Sequence, residues 1–309
     1  MTDAYRFHSS GVEFVCARPI RGLRTPLAHD VPLPEAVRIS FRQKSEIPKH
    51  ALLFAWPGRY AMTVNACDEG ILIFSAASGA ALIKSNQNVV ECYQCDDSEQ
   101  ACEDFLIRRV LPRVSILRGN MAYHAAAVGN GTTGLLLLGQ SGTGKTALAT
   151  AIALSAGWSV LSEDTTLLDD SFNILPGTTG SGLWEDACVG LNLPADQCRA
   201  MPLYENKFWY EPLQPASAAP QKLAAVVLLT RDRDGGTISP AFDRVPKAQA
   251  LAAIASHFVR LYPGDTMEQT RLHHAAKMVE AIPVWHVTYP NGYDRLPEVA
   301  AAICRLAGP

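Results

Sequence analysis

One stretch constrains the fold more than any other. Gly139-Gln140-Ser141-Gly142-Thr143-Gly144-Lys145-Thr146 lies directly between the leucine run Leu135–Leu138 and an Ala- and Leu-rich run from Lys145 to about Ala156. The leucine run reads as a short buried strand, and the Ala/Leu run as a helix. The intervening glycines permit the abrupt reversal that such a junction needs. The octapeptide matches G-x-x-x-x-G-K-[ST] without a gap and in the strand–loop–helix context that the pattern demands. Successive N–H groups and a helix N-terminus then face one point, an arrangement suited to negative charge. On this reading Gly139, Ser141, Gly142, Thr143, Gly144, Lys145 and Thr146 cradle the phosphates of ATP. Lys145 reaches the β- and γ-phosphates, and the Thr146 hydroxyl binds Mg²⁺.

Around this centre the chain divides in two. Residues 1–98 read as a β-rich N-terminal domain, with extended pieces at Tyr5–Phe7, Val12–Cys16, Val37–Phe41 and Ala51–Trp56. A hairpin of Tyr60–Ala66 with Gly70–Ser75 turns at Cys67-Asp68-Glu69, and a second joins Ala80–Ile83 to Val89–Tyr93. Residues 99–120 form a bridging helix, with Phe105, Leu106, Val110, Val114 and Leu117 at helical spacing and Pro112 placed to kink or split it. Residues 121–309 alternate strands and helices. Strands are expected at Ala122–Val128, Leu135–Leu138, Trp158–Leu161, Thr165–Leu168, Ala224–Leu229 and Val284–Val287. Helices are expected at Lys247–Tyr262, Met267–Ile282 and Leu296–Leu306. The class is α/β, and the hairpin before the glycine loop argues for a mixed sheet.

Two further sites carry chemistry. Ser162-Glu163-Asp164 ends the strand after the loop's helix, where ligands gather in open α/β sheets. One acid there can hold Mg²⁺, and the other can accept the proton of an attacking hydroxyl. His124 lies in Tyr123-His124-Ala125-Ala126, inside the strand that precedes the leucine run.

The order of histidine strand, hairpin, glycine loop, helix and acid-ended strand resembles the catalytic domain of HPr kinase/phosphorylase and related P-loop serine kinases, whose fold is shared with phosphoenolpyruvate carboxykinase. The resemblance covers Met121 to Leu168 well and the rest loosely. It implies that Asp164 takes the acceptor proton, that Glu163 stands where the family has Asp, and that His124 and Lys145 join Asp164 in catalysis. The family's later acidic ligand signature is absent; Glu185, or its neighbour Asp186, is the nearest stand-in for a metal ligand beside Thr146 and Glu163. The whole layout looks like the kinases of gene clusters for modified peptides, including lasso peptides. The implied acceptor is a serine or threonine hydroxyl of a peptide or small protein, with a small hydroxylated metabolite as the alternative. Members of the family often assemble, so a homo-oligomer is compatible with this reading.

Composition removes other classes. With 309 residues, 48% hydrophobic, 18% charged and a net charge of -3, the chain is neither disordered nor basic enough for an electrostatic nucleic-acid binder. No apolar run approaches the ~20 residues of a membrane helix, and the N-terminus lacks a signal-peptide layout. A cytoplasmic location and eight reduced cysteines are therefore expected. Cys92-x-x-Cys95 with Cys102 lacks a second ligand pair for zinc. Lys207 is expected in an aromatic loop, and Arg271, His273 and His274 on a solvated helix face. Arg231 and Arg233 follow a strand. The rival functions are a P-loop NTPase that couples hydrolysis to binding or assembly, a carboxykinase, and a nucleotide sensor without catalysis.

Overall fold

The computed structural model describes residues 5–25, 35–57, 61–94, 99–202, 204–212 and 219–308. Its N-terminal part is an eight-stranded sheet in the order Tyr5–Ser9, Val12–Cys16, Val37–Arg42, Val89–Gln94, Gly79–Lys84, Gly70–Ser75, Met62–Cys67, Ala51–Trp56. Both expected hairpins form, as Met62–Cys67 with Gly70–Ser75 and as Gly79–Lys84 with Val89–Gln94. Tyr60 and Cys95 lie outside the described residues. The pairings of Val37–Arg42 with Val12–Cys16 and with Val89–Gln94 are parallel, so this sheet is mixed too.

One face of that sheet buries Phe14, Ile39, Ile73 and Val90 against Leu106, Val110 and Val114 of the following helix. Trp209, from much later in the chain, completes the same core. The helix runs from Glu99 to Leu117, but Leu106–Val110 is a widened π turn. Pro112 explains it. A proline lacks the N–H that a normal turn would direct at the Arg108 carbonyl, and its ring would clash there, so the turn opens. The Arg109 carbonyl instead accepts a bond from Arg113 Nη1 at 2.6 Å.

The second part is a nine-stranded mixed sheet between helices. Thr133–Leu138, Gln221–Asp232 and Val284–Pro290 run parallel at its centre. The leucines alternate as a strand requires. Leu135 and Leu137 face the helices Lys145–Ala156 and Leu296–Cys304, while Leu136 and Leu138 face Lys247–Ala255 and Glu268–Ala281. Both faces are dry, which accounts for the unbroken apolar runs.

Four expectations need correction. The strand proposed for Ala122–Val128 is two strands, Met121–Tyr123 and Ala126–Gly129, which pair in different places in the sheet. His124 occupies the break, its N–H bonded to the His257 carbonyl at 2.7 Å. The helix from Lys247 stops at Ala255 rather than at Tyr262, because the following residues turn back to make that bond. Lys207 is not in a loop. It starts the strand Lys207–Tyr210, the centre of a three-stranded sheet with Ser181–Trp184 and Cys198–Ala200 that the periodicity did not announce. Arg271 and His274 are not solvated either: Arg271 is buried against Asp265, with two bonds of 2.6 Å, and His274 Nδ1 meets the Tyr123 hydroxyl at 2.9 Å. Among the described residues no helix is long and apolar enough to cross a membrane.

Candidate active site

A cleft of about 240 Å³ opens where the glycine loop, the strand break and the acidic turn meet. The loop supplies Ser141, Gly142, Gly144, Lys145 and Thr146 to its lining. Gly144 has φ +89°, the left-handed region that favours glycine, and caps the helix that starts at Lys145. Gly139 and Thr143 shape the loop from behind. The Gly139 carbonyl accepts from Lys145 Nζ at 2.7 Å, and the Thr143 carbonyl accepts from the Tyr289 hydroxyl. Arg231 and Arg233 each reach the Gly142 carbonyl at 3.1 Å, so two cations brace the loop's rim.

Across the cleft, the chain leaves the strand Ser159–Ser162 and turns tightly through Glu163 and Asp164. Asp164 has φ +61°, a conformation that Asp tolerates better than most residues. The turn aims both carboxyls at the π segment of the long helix. Arg108 Nε lies 3.4 Å from Glu163 Oε1, and Arg108 Nη2 lies 3.3 Å from Asp164 Oδ2. Arg109 Nη1 is 3.4 Å from the same Asp164 oxygen. On the other side His124 Nδ1 is 2.9 Å from the Asp164 carbonyl and 3.5 Å from Oδ1. His124 Nε2 is in turn 3.3 Å from Lys145 Nζ. A continuous polar chain thus joins the loop lysine, the histidine and the acid.

The two acids are held differently. Burial pushes Asp164 up, but Arg108, Arg109 and His124 outweigh it, so its carboxyl lies well below the usual range and is ionised. Burial dominates at Glu163, whose carboxyl is raised despite Arg108. Burial also lowers Lys145, with Asp164 and Glu163 opposing. Lys207, stacked between the Tyr204 and Trp184 rings at 4.7 and 5.5 Å, is lowered by burial and by Arg108. His257, behind His124, is pushed down to about 4 by burial, with Lys145 and His124 adding to it.

The cleft lining brings Lys145, Lys207 and Arg231 together with Glu163, Asp164 and Asp186. Arg108 and Arg109 stand behind the acids, so the site is electropositive although the chain carries a net -3. Thr146 and Glu163 both line it, whereas Glu185 is exposed and does not; Asp186 does, its Oδ2 accepting from the Tyr293 hydroxyl at 2.8 Å. Among the described residues no three His, Cys, Asp or Glu side chains converge as an all-protein metal cage. Hydroxyl and carboxylate oxygens with phosphates completing the shell are nevertheless what Mg²⁺ prefers, and Thr146, Glu163 and Asp186 supply that donor set. A more apolar cavity of about 220 Å³, lined in part by Met62, Phe105, Arg108 and Tyr204, contains none of the loop.

Sequence reasoning passed over Arg108 and Arg109. The available signal was a pair of cations inside an otherwise apolar helix, Ile107-Arg108-Arg109-Val110.

No family model and no curated protein matches the chain. Among solved structures, the HPr(Ser) kinase/phosphatase from Coxiella burnetii aligns with 14% identity over 60% of this chain and 96% of that one, at a TM-score of 0.26. That is a distant structural relationship and carries no inference about chemistry.

Proposed function

We propose that the protein is a phosphotransferase that moves the γ-phosphoryl group of ATP to a hydroxyl, that of a serine or threonine in a peptide or small protein. The observation that carries this reading is the Lys145–His124–Asp164 chain, which ties an ionised acid to the glycine loop across one cleft. The loop amides and Lys145 bind and neutralise phosphate oxygens, and Arg231 closes the rim. Thr146, Glu163 and Asp186 would hold Mg²⁺, which when bound offsets charge on the phosphates. Asp164 accepts a hydrogen bond from the acceptor hydroxyl and orients it. As the new O–P bond forms and the bond to the departing diphosphate breaks, the hydroxyl proton passes to Asp164. A carboxyl held this low is a weak base, so the transfer comes late, once the attacking oxygen has become acidic. His124 holds Asp164 in place, and Lys207 stands ready for phosphate charge.

The test uses labelled ATP and a pool of serine-containing peptides. Lys145→Ala should lose nucleotide binding. Asp164→Asn should keep it while slowing transfer by about 10²–10⁴. Transfer that survives in Asp164→Asn removes Asp164 from the chemistry. Equally fast release of free phosphate without peptide favours hydrolysis, for which Arg231 and Arg233 at the Gly142 carbonyl are the candidate charge-stabilising groups.

A further inference from the structure

Beside the cleft lies a cavity of about 350 Å³, lined among others by Trp56, Met62, Arg109, Arg113, Phe258 and Arg260. Three guanidinium groups share it with aromatic and thioether walls. Arg260 is paired, by bonds of 2.9 and 2.7 Å to Glu268. Arg109 is shared with Asp164. Arg113 differs from both. It is 6% exposed, its Nε has no hydrogen-bond partner, and among the described residues no carboxylate lies within 4.0 Å of it. Its guanidinium sits 5.7 Å over the Trp56 ring, and burial together with Arg109 pushes its pKa down to about 9, with Asp164 opposing. Asp164 acts on Arg113 only from beyond ion-pair distance, and Arg113 Nη1 is bonded to the neutral Arg109 carbonyl. A buried cation with no directly paired carboxylate is costly to keep, and apolar walls strengthen its attraction for any anion that enters. A planar guanidinium also matches the oxygens of carboxylate or phosphate.

We infer that this cavity takes an anionic group, carboxylate or phosphate, of the acceptor whose hydroxyl Asp164 receives. The inference rests on the phosphotransferase reading for the acceptor's identity, but not for the binding itself. Arg109 links the two places, since the side chain that lines the cavity also touches the acid.

Binding can be measured without catalysis. The full chain carrying Lys145→Ala, which disables the loop, is titrated by calorimetry with three probes: N-acetyl-serine, N-acetyl-phosphoserine methylamide and the neutral N-acetyl-serine methylamide. At least one anionic probe should bind about tenfold or more tighter than the neutral one, and Arg113→Met should abolish that preference. Preference for the first probe identifies a carboxylate, and for the second a phosphate. Equal binding of all three probes overturns the proposal, as does a preference that Arg113→Met leaves intact. Should Arg113→Met not fold, Arg113→Lys, which keeps the charge but not the fork, must weaken the preference. If the preference stands while Asp164→Asn still transfers phosphate, the anion site survives and the assignment of Asp164 fails.

Discussion

His257 gives the sharpest quantitative test of the site's electrostatics. Its ring is partly buried behind His124 and pushed from 6.5 to about 4 by burial, with Lys145 and His124 adding to it. In the folded chain the ring therefore stays neutral, while the unfolded chain takes up a proton below pH 6.5. The stabilisation is complete above that value and drains away as the pH falls toward 4. A depression from 6.5 to about 4 is worth about 2.5 kcal/mol of stability at pH 7 that is gone by pH 4.5. Because the ring still meets water, screening reduces this to about 1.5 kcal/mol. His257→Gln keeps a polar side chain of similar size and leaves the main-chain carbonyl that holds His124. Urea titrations of both proteins from pH 4.5 to 7.5 give the comparison. Relative to the wild type, the variant should gain about 1.5 kcal/mol between neutral pH and pH 4.5. Stability curves that stay parallel to within about 0.5 kcal/mol would show that the ring is not desolvated and that the cationic character of the cleft is overstated.

Two other substitutions probe the framework. Gly144→Ala puts a methyl 2.7 Å from the Tyr289 hydroxyl at φ +89°, and should cost about 1–3 kcal/mol in thermal unfolding and weaken ATP binding. Arg271→Met leaves the Asp265 carboxylate with only the Leu261 and Met267 N–H groups as partners and should destabilise by about 3–5 kcal/mol in urea; the loss should shrink at low pH, because Arg271 is among the groups that hold Asp265 below its ordinary value.

How much of this was legible in the residues depended on whether local pattern or partner choice decided the outcome. The strand Leu135–Leu138 and the helix from Lys145 were readable, because period and capping glycine agree there. So were the acids at the end of Ser159–Ser162. The break at His124 was not, since Tyr123 through Val128 is uniformly compatible with one strand. Only pairing with Thr166–Leu168 on one side and Thr133–Leu138 on the other divides it. The small sheet containing Lys207 depends on two partners, one of them more than twenty residues away, with Trp184 in register with Lys207 and Ala200 with Phe208. Arg271 looks like a surface residue until Asp265 is seen folded back onto it. Glu185, named as a metal ligand from position alone, faces solvent one residue before Asp186, which lines the cleft.

The widened turn before Pro112 has a consequence for how the chain is held together. In the helix that contains it, every residue from Ala101 to Ile116 except Arg109 is buried, so there is no wet side to which a charge could escape. Arg108 must be neutralised by something, and the acids that do so belong to the other sheet. Those acids in turn depend on the helix for the charge that keeps Asp164 ionised. Arg24 reinforces the tie by reaching across to the carbonyls of Val160, Leu161, Gly177 and Thr178. The first hundred residues are therefore not an appendage to the cleft. Arg24 and Arg108 tie the two sheets together, and the charges that keep Asp164 ionised come from the helix that joins them.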